Sequence, residues 1–220
     1  MLLSGRCELV EPAAAGSADF ILRGEQGLFC VVGRPRLERL APALARSPAT
    51  AVLCPSEEAT RVGDAIPGWT PMRAVLHTLG DREILPGTRP TLRSARTEML
   101  SPRDTSALDQ LPGPLRAEIS AALGATHVAA AFADERPVSF CYAAYETESL
   151  WDLSVETLPA HRGKGLGRAC CELLIAHMSR HAKGPVWGAL EENVVSVRMA
   201  ERLGFVAVDA VAVFEPPGAS

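Results

Sequence analysis

The sequence predicts a mixed α/β protein in two parts, a smaller α/β domain over residues 1–90 and a sheet-and-helix domain over residues 91–220. Three observations lead there. Between Phe20 and Leu85, apolar runs alternate with helical stretches, the order expected of strands joined by crossover helices. Further along, HVAAAFA and PVSFCYAAY are apolar runs separated by a tight polar connection, the pattern of a hairpin. After them LWDLSVET, a strand by its alternation, runs through a glycine-rich loop into a helix with an apolar stripe.

In chain order, LFCVVG, TAVLCPS and MRAVLHTLG read as strands, with LERLAPAL and EEATRVGDAI as the helices between them. Pro86, Gly87 and Pro90 in ILPGTRPT mark the linker and set the domain boundary. RTEML opens the second domain as a strand. Ser101 followed by Pro102 reads as a helix cap and first helical position. The next helix spans about Leu115 to Leu123 and stops at Gly124. Asp134, Glu135 and Arg136 turn the hairpin. Beyond the glycine loop PVWGAL reads as a strand, and a short helix ends at Leu203 ahead of Gly204 and a last strand from Phe205. No internal repeat relates the two halves.

The bulk numbers exclude several classes. With 220 residues, 47% of them hydrophobic, the chain can fill a core, and its 22% charged residues argue against disorder. A net charge of −4 gives no general affinity for nucleic acid, which needs clustered Lys and Arg. Arg34, Arg36 and Arg39, and again Arg89, Arg93 and Arg96, read as solvated faces more readily than as anion patches. The six cysteines form no CxxC pair and have no zinc spacing with histidine, so they read as buried thiols in a reducing compartment. The N-terminal segment lacks the apolar run of a leader and no stretch is long enough to span a membrane, so a cytoplasmic protein is expected.

The segment LPAHRGKGLGRACCELLIAHM sets Gly163, Gly165 and Gly167 between a strand and a helix start. That arrangement binds anions: glycine lets the backbone approach, the unbonded N–H groups of the first helical turn point outward, and the helix dipole adds favourable potential. Arg162 and Lys164 add positive charge. A dinucleotide fingerprint would need glycine at Arg168 or Cys170, and a Walker loop would need Ser or Thr at Gly165. Neither nucleotide motif is present.

Arg162, Gly165 and Gly167 fit Q/R-x-x-G-x-G/A, and the chain resembles the GNAT superfamily of N-acetyltransferases from about Leu92 to Phe214. The downstream Asn193, short helix and "LGF" at Leu203 to Phe205 are similar to the family's pattern as well. The resemblance implies a mixed, mostly antiparallel sheet flanked by helices, with the fourth and fifth strands, LWDLSVET and PVWGAL, splayed apart around the donor acetyl-CoA. It implies that the loop Arg162, Gly163, Lys164, Gly165, Leu166 and Gly167 holds the diphosphate. The main chains of Val155 and Thr157 would hold the pantetheine, with a Val155 N–H facing the acetyl oxygen, and Asn193 and Ser196 would bond it from the other side.

Acetyl transfer to an amine needs a base, and Asp152 is the first candidate, Glu156 the second, both alternating onto one face of the strand. The family's usual tyrosine acid falls at Ala200, which leaves either unassisted departure of the thiolate or substitution by Tyr142, Tyr145 or His161. Trp151 reads as a lining residue of the acceptor pocket. His77, His127, His177 and His181 look scattered, and no metal is expected. The acceptor is a small-molecule or protein amine. A catalytically silent acetyl-CoA-binding module is the alternative. The N-terminal domain has three open roles: covering the acceptor site, forming a homodimer, or standing as a decayed duplicate of the same fold.

Overall fold

The computed structural model describes residues 7–11, 18–24, 27–46, 49–80 and 96–218. The linker expected at ILPGTRPT lies outside them. The chain forms two compact units, one of residues 1–76, 188–197 and 207–220 and the other of residues 77–187 and 198–206.

In the first unit, β1 (Glu8–Glu11), β2 (Phe20–Arg23) and β3 (Leu28–Val32) form an antiparallel meander. Helix α1 (Leu40–Arg46) then crosses over to bring β4 (Ala51–Pro55) parallel to β3, and α2 (Ala59–Ala65) follows. The final strand, β11 (Phe205–Glu215), pairs antiparallel with β4 from Val211 to Phe214. Alternation along these strands buries Ile21, Phe29, Val31, Val52, Cys54 and Phe214 against Leu40 and Val62 of the helices. The expected β-α-β-α-β alternation is present from β3 through β5 (Thr70–Leu79), whereas β1 and β2 precede it. At four residues each, those two strands are too short for a pattern of period two to stand out. Arg34 and Arg39 are not a free anion patch: Arg34 pairs with the buried Glu58 and Arg39 with Glu11.

The second unit holds β6 (Arg96–Met99), α3 (Gly113–Ala125), β7 (Val128–Ala133), β8 (Arg136–Glu146), β9 (Leu150–Thr157), α4 (Leu166–Ser179) and the start of β10 (Gly184–Leu190). Its strands lie in the order β10-β9-β8-β7-β6 and are antiparallel except for the β9–β10 pair. The mixed, mostly antiparallel sheet flanked by helices is therefore as expected. β7 is buried on both faces. Val128, Ala130 and Phe132 share a core with Ile119 and Leu123 of α3, and α4 also packs on β7 and β8. Asp134 and Glu135 both take positive φ, 49° and 64°, the geometry of a two-residue turn whose twist matches the strands it joins.

Two local expectations need correction. Ser101 does not cap a helix: its Oγ accepts the Arg103 N–H at 3.3 Å within a turn, and a 3-10 segment, Asp104–Leu108, follows. Nor does Gly124 end α3, which continues to Ala125 and stops at an extended Thr126. Glycine costs a helix interior only about 1 kcal/mol, and the buried Ile119, Ala122 and Leu123 hold that last turn against the sheet.

Candidate active site

β9 sits between two unlike neighbours. Toward β8 it pairs along its length, from Ser139↔Thr157 to Glu146↔Trp151. Toward β10 it pairs over three rungs alone, Leu150↔Gly184, Trp151↔Pro185 and Asp152↔Val186. Among the described residues, Leu153 to Thr157 have no strand partner on that side, so the two strands part after Asp152. Backbone polarity alternates along an antiparallel strand. The Leu158 N–H bonds the Val138 carbonyl at 2.9 Å, so Glu156 and Ser154 also turn their amides to β8. Leu153, Val155 and Thr157 turn theirs into the gap.

The mouth of the gap is the start of α4. Gly163 and Gly165 have φ of 74° and 78°, values an L side chain rarely adopts, and a Cβ on either would meet nothing within 4 Å. Backbone conformation therefore demands glycine there, and the loop's outer face is open. At Gly167 the reason is close approach: a Cβ would lie 3.1 Å from Thr157 Oγ1 and 3.3 Å from Val155 Cγ2. Glycine thus lets the first turn of α4 press against β9. The N–H groups of Leu166, Gly167 and Arg168 precede the first intrahelical bond, Ala169 N–H to Gly165 O at 3.1 Å. Both basic side chains brace the loop, Arg162 Nε on the Thr157 carbonyl at 3.1 Å and Lys164 Nζ on the Ala160 carbonyl at 2.8 Å. The Thr157 carbonyl is thereby engaged, and Val155 remains the main-chain group facing the gap at mid-strand.

Asp152 stands on the last paired rung, where the strands diverge. Burial lifts its carboxyl from 3.8 to about 6, offset in part by the Leu153 amide. Such a group is mostly ionised at neutral pH yet basic enough to take a proton. A raised acid favours the fold most below its unfolded value, so stability is lost as pH climbs from about 4 through 6. Asp152→Asn is therefore expected to erase a pH-dependent loss of about 2 kcal/mol, partial exposure allowed for. Denaturant melts at pH 4 and pH 7.5 measure it as the difference between the two proteins, the wild type losing more stability, or gaining less, than the variant over that interval. Glu156 is raised as well, by burial and by the Glu118 carboxylate, with Arg162 opposing. Burial and a hydrogen bond to Glu118 push the Tyr142 phenol up. Tyr145 is the register partner of Asp152.

The chain is similar to known proteins in sequence profile and in fold. The sequence profile of the GNAT acetyltransferase family matches residues 128–214, from the first residue of β7 to the penultimate residue of β11. Residues 128–214 are a GNAT acetyltransferase domain. Solved structures share the fold across nearly the whole chain. A GCN5-related N-acetyltransferase-like protein from Streptococcus suis has 14% identity and a TM-score of 0.74, over 96% of this chain and 88% of that one. A GCN5-related N-acetyltransferase from Kribbella flavida has 13% identity and a TM-score of 0.65, over 97% and 90%. A tandem GNAT protein from the clavulanic acid biosynthesis pathway has 13% identity and a TM-score of 0.60, over 98% and 85%. No curated protein matches the chain.

Within the GNAT domain, the remaining expected residues fall as follows. Asn193 is the N-cap of α5 (Val194–Arg202), its Oδ1 accepting the Ser196 N–H at 3.2 Å. Both residues belong to the first compact unit, whereas Arg162 to Gly167 belong to the second. Asn193→Ala should cost about 1 kcal/mol through the lost cap. Asn193→Asp keeps the acceptor and should melt like wild type, so weaker acetyl-CoA binding by the Asp variant alone would report a role for the amide donor. Ala200 is fully buried. Trp151 is a correction: it is 1% exposed and packed inside, with its Nε1 unpartnered, so it does not line an open pocket. The thiols of Cys141 and Cys170 are buried and pushed up, which removes them as nucleophiles. His127, His177 and His181, scattered in sequence, come together in the structure. No helix among the described residues is long and apolar enough to cross a membrane.

Proposed function

We propose that the protein transfers an acetyl group from acetyl-CoA to the primary amine of a small molecule or a protein. One observation supports the reading: the edge of β9 from Leu153 to Thr157, without a strand partner among the described residues on that side, lies beside the open glycine loop and the unbonded N–H groups that start α4. The loop from Arg162 to Gly167 binds the diphosphate through backbone N–H groups, and the exposed main chain of β9 takes the pantetheine as an added strand would. Asp152, assisted or replaced by Glu156, takes a proton from the ammonium form of the acceptor. The freed amine attacks the thioester carbon, a C–N bond forms, and the oxyanion is held by the Val155 N–H. The C–S bond then breaks, CoA leaves as its thiolate, and the nitrogen gives up its second proton to that thiolate or to solvent, which leaves the neutral amide.

The test is thiol release from acetyl-CoA with a panel of amines. Release that depends on one class of amine supports transfer. Tight binding of acetyl-CoA without release to any amine supports the second reading, a binding module, which the burial of Ala200 at the usual acid position favours. For the N-terminal residues 1–90 three roles are proposed, covering the acceptor site, mediating dimerisation or standing as a decayed duplicate of the same fold, and the protein is proposed as cytoplasmic.

A further inference from the structure

The far end of α4 gathers a second set of chemical groups. His177 lies in its last turn and His181 one turn on, where the N–H of His181 bonds the Met178 carbonyl at 2.9 Å. His127 immediately precedes β7. One ring nitrogen from each of the three lies within 4.8 Å of the others. Their rings approach to 4.5 Å between His127 and His177, 5.7 Å between His127 and His181, and 5.5 Å between His177 and His181. His177 Nε2 is buried with no hydrogen-bond partner. An imidazole nitrogen withdrawn from water and left unbonded costs free energy unless something occupies its lone pair or proton.

We propose that His127, His177 and His181 bind a divalent transition-metal ion, zinc by preference, in a site separate from the acyl-transfer cleft. Three imidazoles with a fourth position for water suit zinc, whose Zn–N distance near 2.0–2.1 Å sets neighbouring nitrogens about 3.3 Å apart. Closing from 4.8 Å to that spacing takes side-chain rotation, which His127 and His181 have room for because both are exposed. His177 in the last turn of α4 and His181 in the turn that follows it are four residues apart, the spacing of histidine pairs in helical zinc sites. The surrounding charge is mixed. The C-terminal end of α4 carries the negative end of the helix dipole and favours a cation. Glu146, near enough to His127 to feel its charge, adds a negative group already held by Lys183 and Thr126, while Arg180 opposes. Bound metal would clamp the C-terminal end of α4 to the entry of β7.

The experiment uses the untagged full chain, stripped with EDTA and titrated with Co2+ as a spectroscopic stand-in and then with Zn2+. Expected are one ion per chain, d–d absorption in the visible without a sulfur charge-transfer band, and a melting temperature raised by about 5–10 °C at a hundredfold excess of free Zn2+ over its Kd. His127→Gln and His181→Gln, both at exposed positions, should melt like the metal-free wild type and bind at least about a hundredfold more weakly. Binding unchanged in these variants, a thiolate charge-transfer band pointing to the cysteines, or no binding at about 100 times the protein concentration would each overturn the site. None of those results bears on acyl transfer, which is read separately by CoA release.

Discussion

Asp152→Asn should lower kcat for acetyl transfer by about 10²- to 10⁴-fold, the range that a positioned general base contributes. The same change should leave the Kd for acetyl-CoA within about twofold, because in the proposed site main chain and helix start, rather than this carboxylate, would grip the donor. The pH dependence sharpens the expectation. In the wild type kcat/KM rises with pH through about 6, where Asp152 titrates, and in the Asn variant that rise disappears. Glu156→Gln serves as the comparison. If Glu156 is the base, its variant takes the large loss and the Asp152 variant keeps both rate and acid limb.

Gly167→Val should abolish measurable donor binding, raising the Kd for acetyl-CoA by at least about a hundredfold and lowering stability by about 1–3 kcal/mol through overpacking. The reason is positional. A Cβ already lies 3.1 Å from Thr157 Oγ1 and 3.3 Å from Val155 Cγ2, and the valine's two further carbons must push the first turn of α4 away from β9. That movement carries off the Leu166 and Gly167 N–H groups and disturbs the edge of Val155 together, so one substitution strikes both halves of the donor site. Gly167→Ala needs only a few tenths of an ångström from two side chains and should be mild. Calorimetric titration with acetyl-CoA distinguishes the pair, and wild-type affinity in the valine variant would show that the donor lies elsewhere.

What the sequence disclosed and what it hid follow from the range of the interactions. β9 spans Leu150–Thr157, the same residues as the LWDLSVET run, and α4 begins at Leu166, between the second and third glycines. Gly163 and Gly165 precede that start, whereas Gly167 lies inside the first turn of α4; the signals are local, because alternation, backbone freedom and an apolar stripe all act within one element. The raised carboxyl of Asp152 was legible only as a candidate, since its cause is burial by other elements. Trp151 was misplaced for the same reason, because alternation gives the face of a strand but not what covers it. The histidine trio shows the limit most clearly. The i, i+4 spacing of His177 and His181 was readable, whereas His127, fifty residues earlier in number, joins them only because α4 packs across β7.

Ala200 bears on how the reaction ends. Its side chain is sealed in the interior, so under the proposed acetyl transfer that place offers no proton donor to the departing sulfur, and a thiol with a pKa near 8.5 would leave as its anion. Turnover is then one-sided in acidity, climbing with a single ionisation and running level into the alkaline range, where a catalyst that must also keep an acid protonated would fade. An acceptor amine that is itself largely neutral at high pH is the one such a catalyst would serve best.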